Sequence, residues 1–436
     1  MQIPQQVAYI IDKLNTRGFE AYAVGGCVRD TLLGREPGDW DITTSAKPEQ
    51  VKALFRRTVD TGIQHGTVTV LIDRTGYEVT TYRIDGIYED GRHPRQVEFT
   101  SDLLEDLRRR DFTINAMAYS HDKGIVDAFD GMGDLKRKVI RCVGNPMERF
   151  SEDALRILRA IRFSAQLDFS IEKETWEAIG QIAPNIAKVS RERIQVELTK
   201  LLLSDHPERM MDVFETGISR YIFGESYQLL RGKPDVPENI SRLLKEAALS
   251  ERRNLQEAAK LPGKKYIRWA AFLSRAGADG AVRILKDLKL DNETIRRVKT
   301  LVSWAGRELP EEEAFVRRGM SQMEPEVWDG VLALNGYSPA IREMTRRIRE
   351  RGDCLDLKHL AVSGQDLIAA GVTPGKEMGE ILGRLLEHVL ERPEDNRKEV
   401  LLGLGKPDVP VEFRNSIPSA AVRVQEDLNC CQKLEQ

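Results

Sequence analysis

Val7, Ile10, Ile11 and Leu14 recur at the spacing of an amphipathic helix, so the chain opens with one. The period then changes. Ala21–Val24 is a short strand-like run that stops at Gly25-Gly26, and Asp39–Thr43 alternates as a strand does. Thr67–Ile72 and Tyr77–Arg83 are rich in Val, Thr and Tyr and flank Asp73-Arg74-Thr75-Gly76, the pattern of a hairpin. The polar stretch from Asp85 to Arg95, with Gly86, Gly91 and Pro94, predicts a mobile loop. Helical spacing returns over Leu103–Tyr119.

From about Asn145 onward strand signals disappear. Ser151–Leu167, Ile171–Ile182, Arg191–Leu203, Glu208–Thr216, Trp269–Ala276, Asp279–Leu288, Asn292–Trp304, Pro339–Arg351 and Met378–Leu390 all predict helices. No repeat of fixed period occurs. The last segment, following Pro407 and Pro410 and containing Pro418, reads as loosely ordered. The expected picture is a small α/β N-terminal domain followed by a long helical array.

Composition narrows the class. Charged residues make up 31% of the 436, above the usual ~25%, which suits solvated helices. No apolar run approaches the roughly 18 residues of a membrane span, and Met1–Lys13 lacks a basic start followed by an apolar run. Cys27, Cys142, Cys354, Cys430 and Cys431 are scattered without a C-x-x-C, which argues against a disulfide framework or zinc site and fits a cytoplasmic location. The net charge of −3 is not that of a uniformly basic nucleic-acid binder, although a whole-chain sum does not show whether one face is basic.

Chemistry enters at Gly25-Gly26, followed by Asp39-Trp40-Asp41. Side chains two apart on a strand share a face, with carboxylates about 7 Å apart. Such a pair repels unless a cation lies between, and Mg²⁺ binds through one or two carboxylates plus substrate phosphates. Glycines let backbone amides approach a phosphate, and Arg29, one turn on, is placed to clamp it. Either feature alone is ordinary: a glycine turn, or a solvated strand edge.

Four motifs then occur in order: Gly25-Gly26-Cys27-Val28-Arg29-Asp30, Asp39-Trp40-Asp41-Ile42, Arg109-Arg110-Asp111-Phe112-Thr113-Ile114-Asn115-Ala116 and Glu152-Asp153-Ala154-Leu155-Arg156. Together they resemble the class II tRNA nucleotidyltransferases, the CCA-adding enzymes and bacterial poly(A) polymerases of the DNA polymerase β superfamily. The resemblance implies an α+β fold, with a polymerase-β-like palm (small mixed sheet with helices) at residues 1–145. An all-α remainder follows as neck (146–205), body (206–335) and tail (336–436). It implies transfer of CMP and AMP from CTP and ATP to the 3′ end of tRNA by a two-metal mechanism, with Mg²⁺ as cofactor. Asp39 and Asp41 become metal ligands and, with Glu78, the catalytic carboxylates. Gly25, Gly26, Arg29, Arg110, Asp111, Asp153, Arg156, Arg159 and Arg162 become nucleotide-binding residues. Arg110 and Asp111 match the ribose-recognition motif, Asn115 reads as structural support, and Arg193 and Glu197 read as helix bracing.

Asp153 and Arg156 suggest how bases are chosen. Cytosine and adenine each present an amino donor beside a ring-nitrogen acceptor, which a carboxylate and an arginine match. Uracil and guanine turn an acceptor toward the carboxylate, and a mismatched polar edge in a desolvated site is costly. The non-basic stretch Asp60–Val68 and the loop Arg83–Pro94 favour CCA addition within the family. Partial activity (A-adding or CC-adding), poly(A) polymerase activity and a catalytically silent RNA-binding scaffold stay open, as does a homodimer. Lys260, Lys264, Lys265, Arg268, Arg346, Arg347 and Arg349 are candidate tRNA phosphate contacts, each also readable as a solvated helix charge.

Overall fold

In the computed structural model, residues 1–85, 97–231 and 261–405 are described. The loop expected beyond Asp85, Lys260 and the tail from Pro407 lie outside these residues. The chain forms two compact units, residues 1–302 and 303–436.

The first unit begins with helix α1 (Gln5–Asn15), which buries Val7, Ile10, Ile11 and Leu14. Strands β1 (Ala21–Val24), β2 (Ile42–Thr44), β3 (Thr58–Gly62), β4 (Thr67–Ile72) and β5 (Thr75–Thr81) follow, with α2 (Gly26–Leu32) and α3 (Pro48–Leu54) between them. Next come β6 (Arg83–Asp85), β7 (Val97–Phe99), α4 (Leu103–Arg108), β8 (Met117–Ser120) and β9 (Gly124–Asp127). The main sheet has seven strands in the order β3-β4-β5-β2-β1-β8-β9. It is mixed: β2 runs parallel to β5 with Ile42 opposite Val79, while β1 is antiparallel to β2 and β8. Tyr22, Val24, Tyr82, Leu107 and Ala118 form part of its core.

Several local expectations change. The β4–β5 turn is only Asp73-Arg74, both with positive φ (49° and 68°) as a tight primed hairpin turn needs, and Ile72 pairs with Thr75. Met117–Ser120 is not helical but a strand, fully buried between β1 and β9. The helix expected over Ser151–Leu167 is broken into α6 (Pro146–Glu152) and α7 (Leu155–Leu167), because Asp153 takes an extended conformation (φ −143°, ψ 101°). After α5 (Gly131–Arg137), α8 (Lys173–Ile182) and α9 (Arg191–Leu202) pack against α6 and α7 respectively.

The second unit is helical, with helices Glu313–Ser321, Pro325–Asn335, Pro339–Arg351, Gly364–Ala369, Lys376–Glu391 and Lys398–Gly405. Val362, Leu367, Ile381, Leu385, Val389 and Leu401 build its core. Trp328 is fully buried, donates to Thr345 Oγ1 at 3.2 Å and packs against Gly319, where a Cβ would collide with its ring. Gly319→Ala is therefore expected to lose roughly 1–3 kcal/mol despite alanine's better helix propensity. Lowered thermal stability of this unit, with nucleotide binding unchanged, is the result to look for.

Candidate active site

The Asp-x-Asp carboxylates sit at one end of the central strands. β2 begins only at Ile42, so Asp39 and Asp41 precede the strand rather than lying on it. Asp41 is still fixed, because its carbonyl accepts the Val24 amide at 3.0 Å. Ile42 is paired with Val79, which sets Asp41 beside Glu78 on the neighbouring strand. Asp39, Asp41, Thr69, Tyr77 and Glu78 line one cleft. Gly25, at the end of β1, has φ +82°, a conformation suited to glycine, and its amide donates to the Met117 carbonyl. That amide is thus already used; Gly26 opens α2, whose first-turn amides have no intrahelical acceptor.

The three carboxylates reach solvent and act on one another. Crowding by the surrounding chain pushes the Asp41 carboxyl up, Arg110 pulls it down and Asp39 adds to the rise. Glu78 is pushed up by the same desolvation and by the charges of Asp41 and Asp39. Among the described residues no basic side chain comes within salt-bridge distance of Asp39, Asp41 or Glu78, and no three acidic, His or Cys side chains make a ready metal cage. An open face of mutually repelling oxygens suits a hard divalent cation that draws its other ligands from substrate phosphates and water.

A second group of residues lies where α2, the segment after α4, α7 and α9 meet. Arg29 is buried, forks onto Asp30 at 2.9 and 3.0 Å and donates to Asn115 Oδ1. Asn115 donates to Asp111 Oδ1, which also accepts the Phe112 amide. Arg159 closes on Asp111 Oδ2 at 2.8 and 2.7 Å. Burial alone would push the Asp111 carboxyl up; the Arg159 charge, the Asn115 amide and Arg156 hold it well below the usual range. Arg162 binds Glu197 at 2.5 Å, and its guanidinium lies 3.9 Å from the Phe163 ring centroid.

Asp153 and Arg156 are not the neighbouring pair on one helix that their spacing predicts, since the chain breaks at Asp153. Just ahead of α7, Asp153 accepts the Leu155 amide and takes Arg193 of α9 at 2.7 Å. Arg156 binds Glu152 at 2.7 Å and donates to the carbonyls of Arg149 and Arg109. Each is thus fixed by a partner of its own, Asp153 by Arg193 and Arg156 by Glu152.

Arg193 and Glu197 therefore brace across helices, not along α9. Arg109 belongs to an Arg-Arg-Arg run that reads locally as a solvated helix face, but it forks onto Asp106 at 2.9 and 2.7 Å. Asp106 was not among the expected site residues, although its position three and four residues before two arginines is a readable signal. Several candidate tRNA contacts are engaged within the chain: Lys265 with Asp291, Arg346 with Glu343 and Glu350, Arg347 with Glu313, and Arg349 with Asp329.

Comparison with known proteins adds three family matches. The Poly A polymerase head domain matches residues 21–141, the Probable RNA and SrmB-binding site of polymerase A residues 168–229, and tRNA nucleotidyltransferase domain 2 residues 264–404. A CCA-adding enzyme of Leuconostoc mesenteroides is 39% identical over 88% of this chain and 92% of the relative. One from Enterococcus faecalis is 38% identical over 92% and 95%. The crystal structure of the Bacillus stearothermophilus CCA-adding enzyme in complex with CTP is 32% identical, superposes with a TM-score of 0.76, and spans 93% of this chain and 97% of that one.

Proposed function

The chain belongs to the class II tRNA nucleotidyltransferases, and from that premise we propose that it adds CCA to the 3′ end of tRNA from CTP and ATP, without a nucleic-acid template. The observation that carries this reading is the joint arrangement of an open carboxylate face and a separately held Asp153 and Arg156. A scaffold without activity has no use for either.

Family membership brings dependence on a divalent metal; we propose Mg²⁺, held by Asp39 and Asp41 with Glu78 beside them. When bound, the ion offsets charge on the attacking 3′ oxygen and on the departing pyrophosphate. The chain's own residues do the rest. Asp153 accepts from the exocyclic amino group of cytosine or adenine, and Arg156 donates to the adjacent ring nitrogen. Arg29, Arg110, Arg159 and Arg162 supply positive charge for the triphosphate and ribose. Asp111 already accepts from Phe112, Asn115 and Arg159. It takes a ribose hydroxyl when Arg159 turns from Oδ2 toward the phosphates. Residues 1–145 and 146–205 serve this chemistry as head and neck, while body and tail (206–335 and 336–436) hold tRNA. No helix among the described residues is long and apolar enough to cross a membrane, and a cytoplasmic site of action follows from the tRNA substrate.

The test uses tRNA lacking CCA, tRNA ending in C and tRNA ending in CC, each with CTP, ATP or both. Completion of all three ends is the expected result. Failure to incorporate C would point to A-only addition, arrest at CC to CC addition, and long A tails on other RNAs to a poly(A) polymerase.

A further inference from the structure

Asp106 is a fully buried carboxylate on which donors from three elements converge. Oδ1 takes the Arg109 fork at 2.9 and 2.7 Å and the backbone amide of Arg83 at 3.4 Å. Oδ2 takes the Thr43 hydroxyl at 3.1 Å and Arg110 Nη2 at 3.5 Å. Burial penalises its charge, but Arg109 and Arg110 more than compensate, so it stays ionised. An ionised carboxylate without access to water acts on its surroundings far more strongly than one in solvent.

Its placement links two parts of the site. Thr43 is on β2, two residues beyond Asp41, so Asp106 is tied to the strand that Asp41 leads into. Arg110 is the group it reaches on the other side. The Arg110 guanidinium lies against Gly25, where a Cβ would approach Nη1 to 2.9 Å, and its charge is felt at Asp41. Its Nε is buried without a hydrogen-bond partner, and its bond to Asp106 is long. Arg110 is therefore tethered but not saturated. An arginine beside mutually repelling carboxylates has an obvious wrong destination, namely direct pairing with Asp41.

We propose that Asp106 is the positioning residue for Arg110: its buried carboxylate holds the guanidinium between Gly25 and Asp41, facing the incoming nucleotide and off the metal-facing carboxylates. The proposal rests on Arg110 being a nucleotide-binding residue. It explains why Arg110 keeps free donor capacity in a crowded site.

The experiment compares the full chain with Asp106→Asn, Arg110→Ala and the double variant. It reads KM for CTP and ATP, KM for tRNA, equilibrium CTP binding and thermal unfolding. Asp106→Asn should raise KM for both nucleotides about tenfold and weaken CTP binding in step, with KM for tRNA unchanged. The double variant should be no weaker than Arg110→Ala alone, because Asp106 acts through Arg110. Unchanged nucleotide KM in Asp106→Asn, or losses that multiply in the double variant, overturn the proposal while leaving the nucleotide-binding role of Arg110 intact. An Arg110→Ala enzyme with normal nucleotide KM overturns both. Should Asp106→Asn fail to fold, Thr43→Val removes one bond to Oδ2 at little cost to the strand. Its expected rise in nucleotide KM is about threefold, absent when Arg110 is alanine. No rise in Thr43→Val overturns the proposal.

Discussion

Replacing Asp41 with alanine is expected to lower the rate of nucleotide addition at least about a thousandfold, since several kcal/mol of charge stabilisation at the reacting oxygens are lost. Asp39→Ala should behave alike. The same substitution should not unfold the protein. The Asp41 carboxyl is pushed up in the folded chain, by desolvation and by Asp39. A raised carboxyl means that near neutral pH its ionised form is held less well in the folded state than in the unfolded one. Removing that charge relieves the folded state, so the melting temperature should stay the same or rise. Binding of tRNA should persist. Single-turnover kinetics, a melting curve and a filter-binding assay on one preparation separate these outcomes. Near-normal turnover would sink the assignment of Asp39 and Asp41.

Asp153→Ala is expected to have the next largest effect, and a different signature. Catalytic efficiency with CTP and ATP should fall roughly a hundredfold, because a base amino group loses its acceptor and Arg193 loses its carboxylate. The advantage over UTP and GTP should narrow at the same time, because the group that repels O4 of uracil and O6 of guanine has gone. The readout is kcat/KM for each of the four nucleotides on tRNA ending in C. Equal losses for all four would mean that Asp153 only supports the neck and does not read bases.

Much of the head was legible because its strands and helices carry distinct periods. Ala21–Val24 is a strand over those residues, and α1 buries the four residues that its spacing marks. The failures have physical causes. Met117–Ser120 is covered on both faces, so its side chains show no alternation to separate it from the helix before it. Apolar spacing runs on through Asp153, which hides a break made by one extended residue whose carboxylate accepts the Leu155 amide. The hairpin turn uses Asp73 and Arg74 in place of the nearby glycine, which composition alone does not reveal.

In the site, residue identities were easier to read than their partnerships. Asp39, Asp41 and Glu78 do line one cleft, because the pairing of Ile42 with Val79 sets the residues just before β2 beside Glu78 on β5. The links from Asp153 to Arg193, from Arg162 to Glu197 and from Arg159 to Asp111 span dozens of residues and depend on how α7 packs against α9 and the head. No local pattern encodes them. Arg109 shows the cost of a local reading, since a triple arginine looks solvated until a buried Asp106 is found beneath it.

The central claim is that the protein itself, with no template, selects C, C and then A. It is tested most directly by incubating tRNA that lacks its 3′ end with all four nucleotides at equal concentration and sequencing the products. The predicted product ends in CCA and stops there. Uridine or guanosine at the new end, or an adenosine run of indefinite length, would contradict it.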